Sequence, residues 1–122
     1  MDVCFNFSTS GELIRVPSES VVLITADSNY SVLTLVDGSE YVLTMQLGQV
    51  EHKLMDVATA QSGRFIRIGK SLIINRNYIY KINLAKQELV LSDSRLDGAF
   101  RLSASREALR QLKELLEKEA GL

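Results

Sequence analysis

Between Arg64 and Lys86 the chain carries six basic residues, Arg64, Arg67, Lys70, Arg76, Lys81 and Lys86, and no acidic one. They are set among β-branched and aromatic residues, as in Phe65-Ile66-Arg67-Ile68 and Tyr78-Ile79-Tyr80-Lys81-Ile82. Such residues fit a pleated, half-buried surface better than a helix. A segment of this kind folds as strands and brings positive charge to a surface, which points to a β domain that binds a polyanion.

The distribution of charge says more than its sum. With 14 Lys+Arg against 15 Asp+Glu the net charge is −1, which argues against indiscriminate nucleic-acid binding. Residues 1–56 nevertheless hold two basic and eight acidic residues, a balance of −6, while residues 57–112 hold ten basic and four acidic, a balance of +6. Such asymmetry within one small chain hints at an interaction face.

A chain of 122 residues, 46% of them hydrophobic, is expected to form a single domain over 1–122 with a core that needs no disulfide or metal. The one cysteine, Cys4, allows no intrachain disulfide and fits a reducing compartment. The opening Met-Asp-Val-Cys-Phe lacks the basic and apolar regions of a signal peptide. No apolar run approaches the roughly 18 residues of a membrane span. The expectation is a cytoplasmic protein without a membrane partner, in which the sequons at Asn6 and Asn29 carry no meaning.

Most of the chain reads as short strands separated by turn chemistry: 13–16, 20–26, 29–36, 40–45, 64–68, 72–75, 78–84, 87–92 and 99–103. Pro17 interrupts the first two. Asp37-Gly38-Ser39 and Ala85-Lys86 read as hairpin turns. Two helices are expected. Leu47, Val50, Leu54 and Val57 recur at helical spacing after the fourth of these strands. The second helix starts at Ser105, a suitable N-cap, with Leu109, Leu112, Leu115 and Leu116 as its apolar stripe and Gly121 as its stop. Arg110–Glu114, Lys113–Glu117 and Glu114–Lys118 are spaced for ion pairs on its other face.

Little here supports catalysis or metal binding. His52 is the only histidine and lies on the polar side of the first helix, far in sequence from Cys4, so no zinc site is credible and a nucleophile–base pair is only speculative. Gly69-Lys70-Ser71 imitates the end of a phosphate-binding loop, but Arg64 stands where that motif needs glycine. Asp93 to Gly98 imitates a calcium loop, with Arg95 in its third position and Ala104 in its twelfth. No cofactor, metal or catalytic residue is expected.

Phe65-Ile66-Arg67-Ile68-Gly69-Lys70-Ser71-Leu72-Ile73-Ile74-Asn75 resembles the F-[VI]-R-[IV]-H-R-S-x-[IL]-V-N motif of the LytTR family of bacterial DNA-binding domains. Asp27-Ser28-Asn29-Tyr30 is similar to that family's G-N-Y turn. Asp37-Gly38 and Leu47…Glu51…Leu54 follow in the expected order, and Ser103-Ala104-Ser105-Arg106 resembles the V-S-R before the final helix. The resemblance covers about residues 12–116. It implies a mainly β fold, an elongated set of small antiparallel sheets with two short helices, which reads successive major grooves of double-stranded DNA through loops. Carried over by position, the DNA-binding residues are Asn29 and Tyr30 in a first loop, Lys70 and Ser71 in a second, and Arg106 in a third. Arginine can bond guanine bidentately, lysine can serve guanine or phosphate, and asparagine can pair with adenine. Arg67 and Arg76, with Arg64, would add sequence-independent attraction.

The family's His-Arg pair is Gly69-Lys70 here, and its glutamate before the first loop is Thr25. A receiver domain of ordinary size does not fit within this length. The resemblance also implies direct-repeat half-sites, and a full site is expected to hold two copies, so a homodimer on DNA is possible. The expectation is a non-enzymatic, sequence-specific transcription regulator. The alternative is an interaction module of the same fold that modulates another regulator without reading DNA.

Overall fold

The computed structural model describes residues 4–8, 10–55, 64–93 and 98–122. Among these residues ten strands and two α-helices follow one another as β1 (Cys4–Ser8), β2 (Leu13–Pro17), β3 (Val21–Asp27), β4 (Tyr30–Leu35), β5 (Glu40–Leu43), α1 (Leu47–Met55), β6 (Phe65–Ile68), β7 (Leu72–Asn75), β8 (Ile79–Asn83), β9 (Glu88–Leu91), β10 (Phe100–Ser103) and α2 (Arg106–Glu119). They form three antiparallel sheets, ordered β1-β2, β5-β4-β3-β7-β6 and β10-β9-β8. The mainly β class with several small sheets and two helices is as the sequence implies.

The five-stranded sheet is covered on both faces, which explains why its central strands read as apolar runs rather than alternating ones. On one face Ile24, Leu33, Phe65 and Ile73 pack with Leu47, Val50 and Leu54 of α1 and with Phe5, Phe7 and Val16 of the β1-β2 hairpin. On the other, Leu23, Ile68, Leu72 and Ile74 pack with Leu89 and Leu91 of the smaller sheet and with Leu109 and Leu112 of α2. Each fully buried side chain of this size stabilises the fold by about 1.5–3 kcal/mol before entropy is counted.

A bulge in β3 sets which residue faces which core. Val21 lies opposite Leu35 and Leu23 opposite Thr34, so two steps on β3 match one on β4. Val22 and Leu23 consequently share the second core, while Val21 and Ile24 share the first.

Strand β1 is absent from the sequence reading, although Phe5 and Phe7 alternate with the polar Asn6 and Ser8. Both rings are buried, and Phe5 meets Phe65 edge to face at 5.6 Å. Because of β1, helix α1 follows the fifth strand of the molecule rather than the fourth. Val57 and the segment Ser94–Asp97 lie outside the described residues.

Helix α2 begins and ends as its sequence implies. The Ser105 hydroxyl accepts from Ala108 N at 3.1 Å, satisfying an otherwise orphaned amide. At the other end Gly121 takes φ +76°, Leu122 N donates to Glu117 O at 2.9 Å and Gly121 N donates to Lys118 O at 3.2 Å. That pair of bonds is a Schellman stop. Lys113 pairs with Glu117, but Arg110 reaches back one turn to Glu107, an acid in the helix's first turn.

Asn75 shows how a polar residue can sit fully buried at the end of β7. Its Nδ2 donates to Val21 O at 2.9 Å, and its Oδ1 accepts from Asn77 N at 3.0 Å. Asn75 therefore fastens β7 to β3 and shapes the turn into β8. Substitution Asn75→Ala leaves a buried carbonyl without its donor, and we expect a loss of about 1–3 kcal/mol in urea unfolding. A change of less than about 0.5 kcal/mol, the scale of surface substitutions, would contradict this role.

Candidate nucleic-acid interface

Antiparallel pairing brings two turns to one end of the five-stranded sheet. Strand β3 ends at Asp27 where β7 begins, because Thr25 lies opposite Leu72. Just beyond, Ala26 N donates to Ser71 O at 2.9 Å. The β3–β4 turn, with Ser28, Asn29 and Tyr30, thus stands beside the β6–β7 turn, with Gly69, Lys70 and Ser71. All six residues are exposed.

Helix α1 buttresses both turns. At its start Gln46 donates through Nε2 to Asn29 Oδ1 at 3.3 Å, while Gln49 Oε1 accepts from Gln46 N at 2.9 Å. Ser31 Oγ, buried at the foot of the first turn, donates to Met45 O at 2.8 Å. One turn along α1, Glu51 holds Arg67 at 2.8 Å. The same guanidinium donates through Nε to Gly69 O at 3.2 Å and through Nη2 to Lys70 O at 2.9 Å. Arg67 thus faces its own hairpin turn and α1.

A third exposed group forms at the start of α2. Ala104 N donates to Gln87 O at 3.3 Å and Arg106 Nε to Leu84 O at 3.4 Å, joining the helix start to the β8–β9 turn. Lys86 lies in that turn, its amide donating to Asn83 Oδ1 at 3.0 Å, and both Lys86 and Arg106 are exposed. This hairpin turns through Gln87, which adopts φ +50° without being glycine. A shallow groove of about 180 Å³, lined by Ile66, Ile68, Gly69, Ala108 and Leu112 among others, separates the second turn from the first turns of α2. The three groups therefore run in series, with the β6–β7 turn in the middle.

Five of the expected residues, Asn29, Tyr30, Lys70, Ser71 and Arg106, lie on these three groups. Arg76 does not. It follows β7 at the end opposite Ser71, four strand residues or roughly 13–16 Å away, and pairs with Glu119 near the end of α2. Arg64 is at that far end too, its Nη1 donating to Ser18 Oγ at 2.7 Å. Lys86 and Gln46 join the groups without having been singled out from sequence. Lys86 carried a signal as the last member of the basic run, whereas Gln46 had none beyond its place before α1. Among the described residues no cluster of three or more His, Cys, Asp or Glu is placed to hold a metal ion.

The middle turn depends on glycine. Gly69 takes φ +61°, in the left-handed region, although a Cβ there would meet no atom within 4 Å. The constraint is backbone strain rather than space. Gly69→Ala is expected to lower stability by about 1–2 kcal/mol in urea unfolding, with Gly69→Asn milder. Equal stability of the alanine variant and the native chain would overturn this.

Comparison with known proteins places this geometry. No curated protein sequence matches the chain. Among solved structures it is similar to the LytTr DNA-binding domain of a protein described as a methyl-accepting/DNA response regulator from Bacillus cereus, at 22% identity and a TM-score of 0.65, over 93% of this chain and 95% of that one. That likeness bears out the arrangement of small sheets and two helices. The model of the LytTr DNA-binding domain matches residues 11–117, and the chain belongs to the LytTR DNA-binding domain family.

Proposed function

We propose that this chain is a sequence-specific regulator of transcription that inserts its three exposed groups into successive major grooves of double-stranded DNA. The observation that carries the reading is that hydrogen bonds of the fold hold the β3–β4 turn beside the β6–β7 turn and the start of α2 beside the β8–β9 turn, with a groove lined by Gly69 and Ala108 between the two pairs. Preorganised loops lose little freedom on binding, so their contacts contribute more fully to affinity.

In this reading Asn29 and Arg106 address base edges at the two ends, since asparagine matches the edge of adenine and arginine that of guanine. Lys70 lies between them, beside Ser71, and meets guanine or phosphate. Tyr30 and Lys86 contact the backbone and set register. Residues 1–122 act as one domain, without catalysis or cofactor, in the cytoplasm. No helix among the described residues is long and apolar enough to cross a membrane.

The engagement of Arg67 by Glu51 and of Arg76 by Glu119 favours a second reading. Two of the expected cations are already paired within the protein, which suits an interaction module that has given up DNA.

Genomic DNA selection with purified protein at near-physiological salt separates the two. Three small contact groups give limited discrimination against a genome of competing sites, at about 1–3 kcal/mol per base pair. We therefore expect enriched pairs of direct-repeat half-sites, each roughly 9–10 base pairs long and one helical turn apart, with two copies bound. Inserting five base pairs between them should abolish joint occupancy. Sequence-blind binding that salt removes, or none, would favour the interaction module.

On the selected site, Arg106→Ala should weaken binding by about 1–3 kcal/mol with thermal stability retained. Unchanged affinity in a stable variant would remove Arg106 from the interface.

A further inference from the structure

We propose that Glu51 and Arg67 form a positioning clamp that fixes the β6–β7 turn for DNA recognition, with Arg67 itself making no DNA contact. The inference rests on the DNA-reading function proposed above and assigns its middle contact a mechanism. Three different nitrogens of one guanidinium are committed inward: Nη1 to Glu51 Oε1 at 2.8 Å, Nε to Gly69 O at 3.2 Å and Nη2 to Lys70 O at 2.9 Å. A planar fork can hold this fixed set of acceptors, whereas a lysine ammonium is a point charge on a flexible stem and cannot span them.

Geometry places the clamp where the turn most needs it. The two carbonyls belong to Gly69, at φ +61°, and to the exposed Lys70. A Cβ built on Gly69 would meet no atom within 4 Å beyond its chain neighbours, so the outer side of this residue is open. Arg67 lies on edge strand β6 with its side chain on the α1 face, and about a quarter of that side chain is exposed. Glu51 aims the guanidinium from the helix that also reaches Asn29 through Gln46. An acid beside a DNA-binding loop repels phosphate. Its presence is explained if its partner acts on the turn rather than on DNA.

That sign makes the proposal testable. Glu51→Gln removes a negative charge from the interface, so electrostatics alone should tighten binding to all DNA. The clamp predicts the opposite on the selected site: affinity falls about tenfold, while affinity for random DNA of equal length is unchanged or higher. Arg67→Ala should match it on the selected site, the double variant should lose no more than Arg67→Ala alone, and Arg67→Lys should not rescue. In the protein without DNA, amide order parameters of Gly69, Lys70 and Ser71 should fall in Glu51→Gln. Tighter or unchanged binding of Glu51→Gln to the selected site would overturn the clamp, as would unaltered order parameters in the turn. A wild-type protein that selects no DNA site would instead overturn the function on which the clamp rests. Glu51 is a partly exposed helix residue, so its glutamine variant stays folded even if Arg67→Ala does not.

Discussion

The arrangement depends on β3 pairing with β4 on one side and β7 on the other while both faces of the sheet are buried. Burial on both sides fixes register, because a slip of one residue would exchange the two faces and turn each apolar set the wrong way. With the register fixed, the end of β3 must meet the start of β7, and the β3–β4 and β6–β7 turns come out side by side. Their proximity is thus a consequence of hydrophobic packing well away from them. The bulge at Val22 belongs to the same logic, since it lets Val22 and Leu23 share the second core.

Upon this frame the charged residues divide by position. At one end of the sheet Lys70 is exposed on a turn, with Lys86 and Arg106 exposed at the neighbouring helix start. At the other end Arg64 and Arg76 are engaged by Ser18 and Glu119. Arg67 lies between these roles, bound to Glu51 and to the carbonyls of its own turn. A partly exposed ion pair of this kind adds little to global stability, typically below 1 kcal/mol. Its effect is local, on the geometry of three residues. Helix α1 matters for the same reason: Gln46, just before it, and Glu51, within it, brace the two turns separately.

Much of this was legible in the residues. The strand pattern, the Gly38 turn, the Ser105 cap and the Gly121 stop each rest on local chemistry that a sequence carries directly. Strand β1 was missed although Phe5 and Phe7 show the period of two, because a short strand that pairs only with its neighbour leaves little else to notice. The basic run announced a charged surface, but composition could not say which cations point outward. Arg67, Arg64 and Arg76 are each held by a partner distant in sequence: Glu51, Ser18 and Glu119 lie 16, 46 and 43 positions away. Gln46 became visible only once pairing had set the first turn beside it, and Lys86, though part of the basic run, gained a place only beside the start of α2. Gly69 suits its φ of +61°, a property that a substitution in a motif does not display.

In the proposed DNA-reading function, one end of the five-stranded sheet, together with the start of α2, faces DNA. Amide chemical-shift mapping of the wild-type protein titrated with its selected DNA site tests this most directly. The account predicts that the largest perturbations fall on Ser28–Tyr30, Gly69–Ser71, Leu84–Gln87 and Ser105–Arg106, with Arg64, Arg76 and Glu119 quiet. Perturbations centred on Arg64 and Arg76, with the three exposed groups unchanged, would contradict it.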